Sequence, residues 1–258
     1  MKTLGFALAA TLASAGTALA QGESPPAVRN VVLVHGAFAD GSSWSKVIPL
    51  LQARGLHVTA VGIPLTSFED DVNATKRAIA AQDGPVVLVG HSYAGVVITE
   101  AGNDPKVVSL VYVAAFAPEA GQTISDLSKD YPKPLYADEL QTLGNGFLVL
   151  SPKGINQDFA QDLPQQEQAL VLAVQTQTAG SVFEGKPSAA AWKTKPAWYI
   201  VASRDRMIWP EQERKMAKDI QAKTTVIASS HVPMLSHPRE VTRVIAAAAA
   251  ATSNTAIK

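Results

Sequence analysis

The 258-residue chain contains no cysteine, which excludes disulfides, thiolate metal sites and a lipid anchor on cysteine. Charge is also sparse. Charged residues are 17% of the chain and balance at 22 Lys and Arg against 22 Asp and Glu. The cations are scattered rather than gathered into a stripe that could neutralise phosphates, which argues against nucleic acid as a partner. Aromatic residues are only 6%, yet hydrophobic residues reach 47%, so material for a core is ample and the composition is not that of a disordered chain. Long apolar runs are missing too. The one candidate, Leu4 to Ala15, is too short to span a bilayer comfortably, and no stable membrane association is expected.

That run has a different reading. Lys2 precedes it and Ala18-Leu19-Ala20 follows it, the small-residue pattern of a signal-peptidase site. The expectation is a signal peptide over residues 1–20, cleavage after Ala20, and a periplasmic or secreted protein. No twin-arginine pair is present, so nothing points to export of a prefolded cofactor protein. The mature chain, 21–258, has the size of one large α/β domain.

Val31-Val32-Leu33-Val34 is a short, β-branched, wholly apolar run, as expected of a strand buried on both faces of a parallel sheet. Ser42 to Arg54 follows at helical spacing, with serines able to cap it and Gly55 able to end it. The cycle repeats with a strand over His57 to Gly62, a helix near Asp70 to Gln82 and a strand over Val86 to Val89. A helix over Ala94 to Gly102 and a strand over Val107 to Ala114 come next. It resumes with a strand over Trp198 to Ala202, a helix over Glu211 to Ala222, a strand over Thr225 to Ala228 and a closing helix from Pro238, with Thr252 to Lys258 frayed. The alternation predicts a mostly parallel, doubly wound α/β sheet. Between about 118 and 195 it breaks, and helical patches such as Gln165 to Val174 predict a helical cap inserted over the sheet edge.

Chemistry concentrates at three places. Gly90-His91-Ser92-Tyr93-Ala94-Gly95 joins a buried strand to a helix, the setting of a nucleophile elbow, with Ala94 in place of the second glycine of G-x-S-x-G. Ser92 is the candidate nucleophile. Acyl transfer passes through an oxyanion that needs preorganised N–H donors, each worth on the order of 3 kcal/mol. Tyr93 N–H, just after the serine, is one candidate. The other lies in His35-Gly36-Ala37-Phe38, with Ala37 N–H favoured over Phe38 and Gly36 keeping side chains out of the turn.

Asp205, just past a strand, and His231, in the loop after the next, complete the chain order Ser, Asp, His, with Glu119 as the reserve acid. His231 is the candidate general base, whereas His35, His57, His91 and His237 read as structural. Gly36, Phe38 and Trp209 are the expected pocket residues. No metal site or organic cofactor is implied, and the expected partner is a small-molecule ester.

These motifs, with Trp44, Ile208 and the run Ser230-His231-Val232-Pro233-Met234-Leu235-Ser236-His237-Pro238, resemble the α/β-hydrolase superfamily. Within it they resemble the small cofactor-free group of plant methylesterases, hydroxynitrile lyases and related bacterial esterases. The resemblance covers nearly all of the mature chain and implies the α/β-hydrolase fold and a carboxylesterase using Ser92, Asp205 and His231. In the lyases a hydroxyl residue stands at the position of Gly36, and in one branch a lysine stands at that of Val232; both differences favour ester hydrolysis. A C–C lyase, lactonase or perhydrolase would use the same three groups. A non-catalytic small-molecule-binding protein would not need them complete.

Overall fold

The structure, a computed structural model, describes Met1 and residues 28–253, so the leader expected at 1–20 and its cleavage point lie outside the described residues. Strands β1 (Asn30–Val34), β2 (His57–Val61), β3 (Val86–His91) and β4 (Val107–Val113) belong to one sheet. Helices α1 (Ile48–Gln52), α2 (Phe68–Ala80) and α3 (Ala94–Ala101) alternate with them. After α4 (Ile124–Ser128) come three short strands, β5 (Leu140–Thr142), β6 (Phe147–Leu150) and β7 (Thr178–Ala179). Between β6 and β7 lie α5 (Pro152–Gly154), a π-helical turn over Ile155–Phe159, and α6 (Gln165–Val174). β8 (Ala197–Ala202), α7 (Pro210–Asp219), β9 (Lys223–Ile227), α8 (Pro233–Ser236) and α9 (Pro238–Ser253) complete the chain.

The large sheet has six strands in the order β2-β1-β3-β4-β8-β9, and every pairing in it is parallel. β1, β3 and β8 are buried along their whole length, which is why their sequences carry no polar alternation. The edge strand β9 exposes four of its five residues and protects itself with a charge, Lys223, held over the Trp198 ring. The chain runs outward from β1 to β2 and then returns to β3 on the other side of β1. The carboxyl ends of β1 and β3 therefore flank a topological switch point, the place where open parallel sheets bind ligands.

Three expectations change in detail. The helix expected over Ser42 to Arg54 is a 3-10 turn, Gly41–Trp44, followed by α1, and the cap is the Asp40 side chain accepting from Ser42 N–H. α9 continues through Thr252 and Ser253, its alanines sustaining the helix past the expected fraying point. The cap adds to its helices a three-stranded antiparallel sheet, β5-β6-β7. The turn between β5 and β6 contains Asn145 and Gly146, both at positive φ, a hairpin signal in the sequence.

Cap and sheet domain are stitched together at the loops that matter. Lys46 pairs with Glu167 of α6 at 2.6 Å. Asp162 accepts from Ser230 N–H at 2.8 Å, beside His231, and Thr178 Oγ1 accepts from Phe38 N–H at 3.0 Å. Among the described residues no helix is long and apolar enough to cross a membrane.

Candidate active site

Ser92 sits in the turn between β3 and α3 at φ 55°, a left-handed conformation costly for a residue with a Cβ. Hydrogen bonds on both sides hold it there: its N–H donates to Val113 O, and its carbonyl accepts from Gly95 N–H and Phe116 N–H. The position that tolerates no side chain is Gly95 rather than Ala94. A Cβ on Gly95 would lie 1.9 Å from Phe116 O, whereas Ala94 is accommodated fully buried. Gly36 packs directly behind the serine, where a Cβ would meet Ser92 Cβ at 2.7 Å.

His231 Nε2 lies 2.7 Å from Ser92 Oγ, and His231 Nδ1 lies 2.5 Å from Asp205 Oδ2. Nδ1–H donates to the carboxylate, leaving Nε2 free to accept the serine proton. Asp205 Oδ1 accepts from the amides of Met207 at 2.6 Å and Ile208 at 3.1 Å, so both carboxylate oxygens are engaged. The side chains of His231 and Asp205 are wholly buried.

His91, read as structural from sequence, acts on the base: its Nε2–H donates to His231 O at 2.9 Å, and its ring lies 4.7 Å from the His231 ring. Burial pushes the His91 imidazole well below its usual range, and the neighbouring His231 adds to this, so His91 is a neutral prop. Phe159, from the π-helical turn, packs edge-on against His231 with centroids 5.3 Å apart.

The amides of Ala37 and Tyr93 make no hydrogen bond within the described residues, and both residues line the cavity over Ser92. Phe38 N–H, the alternative donor, is instead committed to Thr178. The loop carrying Ala37 is fixed by His35, whose Nδ1–H donates to Gly36 O at 2.9 Å while Nε2 accepts from Ile63 N–H. Tyr93 is fixed by Asp71, which accepts from its hydroxyl at 2.9 Å and from Leu65 N–H at 2.8 Å. Burial pushes the Asp71 carboxyl up to about 6, against the pull of those two hydrogen bonds.

The cavity is small, about 20 Å³, room for roughly one water. Its walls include six aromatic side chains, Phe38, Tyr93, Phe116, Tyr136, Phe159 and Phe183, together with Ile124, Met207 and Ile208. Trp209, expected at the mouth, is not among them. The two amides bound by Asp205 Oδ1 turn the loop so that Met207 and Ile208 face the cavity, and Trp209 Nε1–H donates outward to Pro132 O at 2.8 Å. Glu119, the reserve acid, pairs with Lys193 at the surface.

A hydroxyl, an imidazole and a carboxylate in hydrogen-bonded line at the switch point of a parallel sheet are the constellation of a serine hydrolase. The chain belongs to the alpha/beta hydrolase family, whose model matches residues 31–244. It is 26% identical over 247 residues to methylesterase 2 of Arabidopsis thaliana, covering 82% of this chain and 92% of that one. It is also 26% identical over 257 residues to a pyrethroid hydrolase of Sphingobium wenxiniae, covering 85% and 87%. Among solved structures, a pyrethroid hydrolase from Sphingobium faniae matches the fold with TM-score 0.76 at 24% identity, over 86% of this chain and 97% of that one. Polyneuridine aldehyde esterase matches with TM-score 0.75 at 22% identity, over 85% and 98%. The chain is a hydrolase of the carboxylesterase type.

Proposed function

We propose that this enzyme cleaves carboxylic esters of small or medium acyl or aryl substrates through an acyl-enzyme on Ser92. The observation that carries the reading is the unbroken line from Asp205 through His231 to Ser92 Oγ beneath an apolar cavity. His231 Nε2 takes the Ser92 proton as Oγ attacks the ester carbonyl, and the amides of Ala37 and Tyr93 receive the developing oxyanion. His231 then delivers the proton to the departing alcohol. Water repeats the sequence on the acyl-enzyme, with Asp205 holding the tautomer and stabilising the imidazolium in both halves. The reaction draws on no metal or organic cofactor.

The aromatic lining suits apolar ester groups, and with about 20 Å³ of free space its side chains must rearrange as an ester enters. Relatives named methylesterase and pyrethroid hydrolase support ester chemistry. Hydrolysis of p-nitrophenyl esters from acetate to decanoate tests the reading. The expected result is turnover of the short members and a decline with acyl length. A folded enzyme inert toward the whole series contradicts it and brings forward lyase chemistry on the same three groups.

Export is part of the proposal, supported by the apolar run and Ala18-Leu19-Ala20. N-terminal sequencing of the chain recovered from the periplasm or medium should begin at Gln21; recovery only in the cytoplasm with Met1 retained contradicts it.

A further inference from the structure

Helix α7 presents Met216 and Ala217 to the core, with Ile220 just past its end, and the position one turn earlier on the same stripe is Glu213, fully buried. An acid at an apolar position needs partners, and Glu213 has few. Its Oε2 accepts from Ala202 N–H at 3.0 Å, at the end of β8, and no N–H or O–H donor among the described residues reaches Oε1. Its carboxyl lies within hydrogen-bonding reach of Asp205.

Two buried carboxyls in contact do not both ionise. The donor inventory decides which one keeps the proton. Asp205 holds three donors, from Met207, Ile208 and His231, whereas Glu213 holds one. The proton therefore resides on Glu213, whose Oε1 receives no donor of its own.

We propose that Glu213 is a positioning residue of the active site: a protonated carboxyl whose O–H donates to the Asp205 carboxylate and holds it toward His231. The inference rests on the esterase reading for its functional half, while its protonation half stands on its own. Burial, followed by the charge and hydrogen bond of Asp205, pushes the Glu213 carboxyl well above the usual range. The other groups facing it do not reverse this. The Tyr199 hydroxyl is spent on Ala115 O, and Arg214 is a solvent-exposed neighbour whose charge pulls the other way as the smallest contribution.

The test compares Glu213→Gln with wild type. The amide keeps the shape, can accept from Ala202 N–H and can donate to Asp205, but has no proton to lose. Folded wild type retains the Glu213 proton above the pH at which the unfolded chain releases it. Its folding constant should therefore fall, relative to that of Glu213→Gln, by about tenfold per pH unit as pH rises from the unfolded carboxyl range, about 4.3, toward the raised folded value, read in urea titrations. This contribution to stability is full below the unfolded carboxyl range and is lost as pH rises toward the raised folded value; Asp71 titrates alike in both proteins and cancels. A pH-independent ratio overturns the protonated carboxyl, whether or not the chain is an esterase.

For positioning, Glu213→Gln should keep kcat within about threefold. Glu213→Met, which has no donor, should lose at least about tenfold in kcat with KM unchanged. A Met variant with wild-type kcat, or a folded Gln variant with kcat down tenfold, overturns the positioning role.

Discussion

Replacing Ser92 with alanine lowers kcat for ester hydrolysis by about 10⁴- to 10⁶-fold while the protein stays folded. The loss is large because, in the proposed mechanism, Oγ is the atom that forms the acyl bond. No other hydroxyl is hydrogen-bonded to His231 among the described residues. What survives is the activity of the free amides of Ala37 and Tyr93 acting on attack by water, which places the variant above the uncatalysed rate but far below wild type. The fold should survive because the strain at residue 92 is held by backbone hydrogen bonds with Val113, Gly95 and Phe116, none of which uses the hydroxyl. Steady-state kinetics beside circular dichroism checks both halves. A folded Ser92→Ala enzyme retaining a tenth of wild-type activity contradicts the mechanism.

Asp205→Asn should cost about 10⁴-fold in kcat with little change in KM, and the surroundings of Asp205 explain why the amide is no substitute. The Met207 and Ile208 amides require an acceptor at the Oδ1 position, so the asparagine oxygen settles there. Its NH₂ group then faces His231 Nδ1 and forces the tautomer whose proton is on Nε2, pointing at Ser92. An imidazole in that state cannot take the serine proton. A loss below about a hundredfold would show that Asp205 does not set the tautomer.

The parallel sheet was legible because buried strands such as Val31 to Val34 and Val86 to Val89 must be apolar on both faces, a pattern few other elements share. The line of Ser92, His231 and Asp205 was legible because each residue follows a strand end, and strand ends in such a sheet converge. Less legible was whatever depends on contacts between distant segments. Phe38 loses its amide to Thr178, 140 residues further on, which no local pattern announces.

Trp209 and Met207 differ only in where a turn aims them, and that turn is set by the hydrogen bonds of Asp205. The antiparallel cap sheet left one trace, the Asn145-Gly146 turn. Glu213 left another: a carboxyl side chain on the apolar stripe of α7 breaks the helical period at a place where packing leaves no solvent. His91 left none, because a buried histidine before the nucleophile reads the same whether it fills space or holds the carbonyl of His231.

Acid-quenching the enzyme during turnover of a short-chain p-nitrophenyl ester and weighing the intact protein tests the covalent step on Ser92. A single added acyl group is expected, located by peptide mapping to Ser92 and absent from Ser92→Ala. Turnover with no acylated protein at any quench time, or an acyl group on another residue, would contradict it.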